Sequence, residues 1–240
     1  MSTKKVHSRH FSFKHPTFGT KKSPRPESAW KKTIYYWWWE FLLRSEKYLE
    51  TCESGGKKGL VDLYKDFGDI RNISFKDWWT ENGRGYFLFS EPSVDEIVRV
   101  MNEGEIVPNS KVGLSILLPL NLPKKHLKTR INKLLMKYHS GKAGMQHSRH
   151  SFAKYKVSTR PYLNKLEKLI QIYDMKKANP KMRLWQIGNE CPNYLKAHKI
   201  KSSDTDAIMR DKKNVLAASV KRHLTQAQIL INKVEHGIFP

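Results

Sequence analysis

Not one aspartate or glutamate lies between residues 106 and 166, a stretch of 61 residues that carries thirteen lysines and arginines. A solvated surface normally mixes both signs, so a gap of that length points away from an ordinary exposed face and toward contact with a polyanion. Cysteine is scarce too: Cys52 and Cys191 are the only two in 240 residues. Two cysteines exclude a disulfide framework and a four-cysteine zinc site, and they suit a reducing, cytoplasmic compartment. No apolar run approaches the ~18 residues needed to cross a bilayer, and mean hydropathy is −0.65. A soluble protein with no membrane partner is expected. The opening MSTKKVHSRHFSFKHPTFGTKKSPRPES is basic but lacks the apolar centre of a secretory signal.

What the chain has in excess is positive charge: 45 Lys and Arg against 22 Asp and Glu, a formal net charge of +23. With 39% hydrophobic and 11% aromatic residues it can still bury real cores, which excludes wholesale disorder. The excess is unevenly spread. Residues 1–26 hold seven basic side chains and no acid and read as a flexible basic arm, whereas residues 27–105 hold eleven basic against fifteen acidic. After the acid-free zone, residues 167–240 hold fourteen basic against seven acidic. Three parts follow: an arm over 1–26, a Trp-rich acidic helical domain over 27–105, and a basic domain over 106–240.

The fold expected is mainly α with a small antiparallel β element. From Glu27 to about Cys52 the pattern is helical, and Trp37, Trp38 and Trp39 fan across more than half the circumference at ~100° per residue. Such a helix needs cover on several sides, and LVDLYKDFGDI and FKDWWTENG offer it. Six of the seven tryptophans fall between residues 30 and 79, in the one zone that is not basic. Stacking on bases favours tryptophans set among cations, so these predict a core, a protein partner or self-association instead. GYFLF (85–89) after the NGRG turn signal predicts a strand, SVDEIVRVM a helix start capped by Ser93, and VGLSILLPL (112–120) a second strand paired antiparallel with the first.

Pro123 then opens a helix. Leu127, Ile131, Leu134, Leu135 and Tyr138 recur on one face, with His126, Arg130, Lys133 and Lys137 as a stripe beside it. A basic stripe next to an apolar face suits a helix packed on its own domain while lying along phosphates. Residues 140–160 have the composition of a basic, phosphate-contacting loop. PYLNKLEKLIQIYDMK (161–176) predicts an amphipathic helix, MRLWQIGNEC a short second one, with Gly188 ending it or allowing close approach. Last comes the longest periodic segment, in which Met209, Leu216, Val220, Leu224, Ala227, Ile231 and Val234 form one apolar stripe. Arg210, Lys213, Asn214, Lys221, Thr225 and Gln228 share a polar face, with Ala217 among them to permit close approach. Asp204 or Asp206 is the expected cap.

LSILLPLNLPKKHL, TRPYLNKLEKL, LWQIG and the closing HLTQAQILINKVEHGIFP together give a layout that resembles helix-turn-helix proteins of bacterial phages and integrated mobile elements, over about 112–240. The resemblance implies a helix-turn-helix-like C-terminal domain, and no catalytic residue carries over from it. The linker of about sixteen residues before the last helix departs from the 3–4 residue turn of that motif.

Enzyme chemistry finds little footing. Asp62, Asp66 and Asp69 are the best-clustered carboxylates, but a magnesium-dependent nuclease needs them to converge, and no Asp…Glu-x-Lys spacing follows. His7/His10 and His147/His150 lack further zinc ligands in sequence. No nucleophile elbow or phosphate-binding loop occurs. The residues thus predict a non-enzymatic DNA-binding protein without cofactor, a bacterial or phage regulator of transcription or an accessory factor in DNA transactions, associated with the nucleoid. Its contacts would be Lys124, Lys125, Arg130, Lys133, Lys137, Lys142, Arg149, Lys154, Lys156, Arg210, Lys213, Asn214 and Lys221. An RNA-binding subunit of a ribonucleoprotein, a metal-dependent nuclease and a scaffold for an acidic protein are the alternatives.

Overall fold

A computed structural model describes residues 11–80, 83–91, 116–138, 151, 153–157 and 162–240. The expected helix start at 93–101, most of the 140–160 loop, residues 1–10 and the two histidine pairs lie outside them. Ten α-helices are described: α1 (Glu27–Lys31), α2 (Ile34–Leu42), α3 (Glu46–Glu53), α4 (Val61–Phe67), α5 (Phe75–Thr80), α6 (Arg84–Phe89), α7 (Lys124–Tyr138), α8 (Leu163–Ala178), α9 (Leu184–Glu190) and α10 (Asp206–Glu235). The protein is mainly helical.

The antiparallel β element is corrected. GYFLF forms α6, residues 116–120 form no strand, and 112–115 lie outside the described residues. The only bridges described are isolated, at Gly19 with Pro24 and at Val157 with Phe239. Five apolar residues in a row carry no period of their own, so only context separates a buried strand from a buried helix turn. Here Gly83 takes a φ of 63° to start the turn, and Gly85, Leu88 and Phe89 fall on one buried helical face. A Cβ on Gly85 would stand 2.5 Å from the Trp78 ring and 2.6 Å from that of Trp79, so α6 lies directly on α5.

The segment expected as one helix from Glu27 breaks into three. Ser45 ends the run by accepting the Tyr48 N–H with its hydroxyl (3.1 Å), which caps α3. Seven of the nine residues of α2 are buried. Trp38 packs against Phe89, Tyr155 and Phe239 with ring centroids 5.0, 5.8 and 5.5 Å away, and Trp39 against Phe75 at 5.7 Å. Trp78 stacks on Phe67 and donates its indole N–H to the Phe67 carbonyl (2.9 Å). The core continues into Leu166, Leu169 and Ile170 of α8 and Ala227, Ile231 and Val234 of α10. Within the N-terminal segment, Phe11 lies against Tyr35, Trp79 and Tyr86, and Phe18 against Trp30 and Phe75.

Polar contacts also tie the aromatic helices to the C-terminal ones. Arg44 clasps Asp174 of α8 through Nε and Nη2 (2.8 and 2.5 Å) while its Nη1 bonds Glu40. Glu235, at the end of α10, is buried and accepts from Ser45 (2.8 Å) and Lys47 (3.0 Å).

A second, smaller core joins α8, α9 and α10 through Ile172, Ile187, Tyr194, Leu216 and Val220. Gly188 lies inside α9 and serves close approach: a Cβ there would meet Leu216 and Val220 at 3.1 Å. Thr205 caps α10, while Asp204 holds Lys212 (2.7 Å) and the Lys201 N–H (2.7 Å).

Gly188→Leu is expected to drive α9 off α10 and to cost about 1–3 kcal/mol as an overpacked contact, read as a lowered urea midpoint. Hydrogen bonds from Lys212 hold the Asp204 carboxyl below its ordinary value. The stability it contributes is therefore complete above the unfolded carboxylate pKa of ~3.9 and is lost as pH falls through the lower folded value. Asp204→Asn should be less stable than the parent at pH 7, with the gap closing in chemical denaturation as pH falls below the ordinary carboxylate range.

Candidate nucleic-acid interface

The cations of this chain divide into those that complete the fold and those left to solvent. Lys199 Nζ donates to the Gly188 (3.0 Å), Asn189 and Cys191 (2.8 Å) carbonyls, satisfying the free end of α9. Lys176 does the same for the turn after α8, bonding the carbonyls of Pro180 (2.6 Å) and Met182 (3.1 Å). Arg84 bonds the Lys65 and Asp66 carbonyls at 2.9 and 3.0 Å. None of these is spare for a ligand.

Helix α7 is the opposite case. At 1.5 Å per residue its 15 residues extend about 22 Å. No residue of it is buried, and it carries no acid. Lys124, Lys125, Arg130, Lys133 and Lys137 are all exposed, as is Lys128, which the sequence reading passed over although it continues the same run. Among the described residues none of the six has an ion-pair partner; Lys137 lies over the Tyr138 ring at 5.2 Å. The apolar face of α7 joins neither core. It meets the preceding segment 116–122 instead, and together they form a groove of about 560 Å³ with Arg130, Lys133 and Lys137 along its edge.

The second set of candidates lies on α10. Leu216, Val220, Ala227, Ile231 and Val234 are buried as expected, which turns Arg210, Asn214, Lys221, Thr225 and Gln228 outward, all exposed. Lys213 sits at the flank, its ammonium 4.9 Å from the Trp185 ring centroid. Ala217 is half-buried between them. From Arg210 to Lys221 the stripe covers about 17 Å. Exposed Arg222 beside it, and exposed Lys181 and Arg183 before α9, were also passed over; only the packing of α9 on α10 brings them to the same unit.

In the loop, Lys156 is exposed, while Lys142 and Arg149 lie outside the described residues. Lys154 is engaged internally, its ammonium 2.5 Å from Asp66, whose other oxygen accepts the Tyr155 hydroxyl (2.6 Å). That contact crosses 88 residues of sequence, so no local pattern could announce it. Asp62 pairs with Lys65 (3.0 Å) and Asp69 with Arg71 (2.7 Å). The three carboxylates suggested for a nuclease thus each serve a different cation. Among the described residues no three or more His, Cys, Asp or Glu side chains gather to hold a metal ion. Cys52 and Cys191 are buried, and burial pushes both thiols up, away from the reactive thiolate. No described helix is long and apolar enough to cross a membrane.

Compared with known proteins, the chain matches no protein-family model, no curated sequence and no solved structure.

The sorting of cations makes a direct prediction. Lys133→Met should lower the salt dependence of polyanion binding by about one contact, a slope change near 0.9. Lys154→Met should leave that slope unchanged and instead lower the thermal midpoint through the loss of its partner at Asp66, an effect of up to ~1 kcal/mol for so exposed a lysine.

Proposed function

We propose that the protein binds nucleic acid without catalysing a reaction on it, that duplex DNA is its preferred ligand, and that it serves as a bacterial or phage regulator or as an accessory factor in DNA transactions at the nucleoid. The observation that carries this reading is the division of cations: those near the cores neutralise carboxylates or cap helices, whereas the six on α7 have no ion-pair partner among the described residues. Unpaired cations on one basic amphipathic helix repel one another, and a chain of phosphates relieves that repulsion while releasing its own counterions.

Preference for a duplex rests on α10. Arg, Lys and Asn side chains reach both phosphates and base edges in the major groove, and a stripe of about 17 Å matches roughly five base pairs at 3.4 Å each, about what a straight helix follows before the groove curves away. Small Ala217 at the centre lets the helix approach. The packing of α8, short α9 and α10 on one another supports the same assignment, since a reading helix must be held rigidly by the helices behind it.

Titrating a fluorescent duplex at 50 and 200 mM salt tests the reading. With about six phosphate contacts the affinity should fall by roughly 10³-fold. An affinity that does not move with salt would sink the proposal, and displacement of the duplex by an equal concentration of structured RNA would reassign the protein to ribonucleoprotein binding. Arg210→Ala/Lys221→Ala should weaken duplex binding by about 10-fold or more without lowering the thermal midpoint, both side chains being exposed.

A further inference from the structure

Among the described residues fourteen large apolar side chains are exposed, and eight of them lie on residues 116–138, α7 and the segment that leads into it. Leu117 is 92% exposed and Leu120 86%, against 0–9% for the residues of the two cores. Leu120 lies in a turn closed by the Leu122 N–H on the Pro119 carbonyl (3.2 Å), and Leu117 lies two residues before Pro119, in the extended segment that enters the turn. Pro123 follows, and its carbonyl accepts the His126 and Leu127 N–H groups (2.9 and 3.2 Å), so the turn runs without slack into α7. Leu120 is therefore presented on a short, hydrogen-bonded turn and Leu117 on the segment entering it, with Lys124 and Lys125 following in sequence at the start of α7 and Lys128 and Arg130 one turn further on.

We propose that Leu117 and Leu120 form a wedge that inserts between base pairs when α7 lies on the phosphate backbone, partly unstacking one step and bending the duplex. The inference rests on the DNA-binding reading and adds the deformation to it. Two features select a base step as the occupant. The turn is continuous with the acid-free helix, so whatever covers the leucines must tolerate at least four cations beside them, which a polyanion does and a second copy of this basic segment does not. The apolar surface is also two highly exposed leucines at a proline turn, one at the groove beside α7 and one in the turn itself, whereas a helix that reads bases by hydrogen bonding would present amides or guanidinium groups there. Aliphatic and proline side chains flanked by phosphate-binding cations are the means by which proteins open base steps, with bends of roughly 20–90°. Flexible pyrimidine–purine steps deform most easily, so the wedge would favour duplexes that offer a TA or CA step at the right distance from the phosphates that α7 holds.

The test uses the full-length chain and a 30-base-pair duplex labelled at both ends for energy transfer, with a 2-aminopurine at a central TA step. The expected result is a shortened end-to-end distance and a rise in 2-aminopurine emission on binding. Leu117→Ala/Leu120→Ala should abolish both and weaken binding about 10-fold while leaving the salt slope unchanged. Leu117→Met/Leu120→Met should retain both signals, and Arg130→Ala/Lys133→Ala should lower the salt slope. Because both leucines are exposed, circular dichroism and the thermal midpoint of the alanine variant should match the parent. Salt-dependent binding with an unbent duplex, or bending unchanged in the alanine variant, overturns the wedge and leaves the binding reading standing. No salt-dependent duplex binding at all overturns both. Sedimentation with phosphatidylglycerol vesicles that is lost in the alanine variant, while duplex bending is not, assigns the leucines to a lipid surface and overturns the wedge.

Discussion

Three consecutive indoles on one short helix constrain everything else in this molecule. At ~100° per residue Trp37, Trp38 and Trp39 cannot share a face, so α2 is stable only if neighbours close around it. Their indole nitrogens are buried without an acceptor among the described residues, a penalty of ~1–3 kcal/mol each. The buried Trp38 and Trp39 rings each remove ~150–250 Å² from water, worth ~4–6 kcal/mol at ~25 cal/mol/Å². Burial therefore wins at these two positions even with the donor unsatisfied, while Trp37 is only half-buried. The required enclosure recruits α5 and α6 from the near sequence, and Tyr155, α8, α10 and Phe239 from the far end.

This enclosure sets where charge can go. Helix α10 is anchored at its end by Glu235 on Ser45 and Lys47 and by Phe239 against Trp38 and Phe41, and at its start by Asp204 on Lys212. With both ends pinned and one side committed to two cores, the direction in which Arg210, Asn214 and Lys221 face is fixed by packing and not by their own preference. The mildly acidic composition of 27–105 has a local use as well: Asp66 draws in Lys154 and Glu46 draws in Lys177. Each such pair removes a cation from the ligand-binding inventory, so the count of Lys and Arg overstates the interface.

The sequence was legible where one helix face decides the outcome. The apolar stripe of α10 and the Pro-led start of α7 are periodic over several turns, and both helices occupy the positions their spacing predicts. It was illegible where the deciding contact is distant. GYFLF turns into helix α6 because Trp78 and Trp79 leave room only for Gly85 against them, a fact about α5 and not about the five residues. One helix from Glu27 to Cys52 became three: Thr33 turns its hydroxyl and N–H onto the Trp30 carbonyl between α1 and α2, and Ser45 answers both the Tyr48 N–H and Glu235, 190 residues away, between α2 and α3. The role of Lys154 likewise depends on Asp66. Of the candidate contacts, those on α7 and α10 could be placed from periodicity, whereas the neighbouring Lys181 and Arg183 needed the docking of α9.

The two helices that carry the candidate contacts differ in how they are held, and that difference shapes what each can do. Helix α10 is pre-positioned, so on the proposed reading its side chains lose little freedom on meeting a duplex and discriminate between bases by geometry. Helix α7 has no buried residue and shares neither core, so its cations gain their order mainly from the polyanion they meet. Affinity that depends on such cations is nonspecific and salt-sensitive. On the proposed reading, a rigidly held α10 and a basic α7 that shares neither core give a two-step association, in which α7 captures any backbone at long range and α10 then tests the sequence. Mutations on the two helices should consequently separate: those on α7 act on the association rate and its salt dependence, those on α10 on the lifetime of the complex.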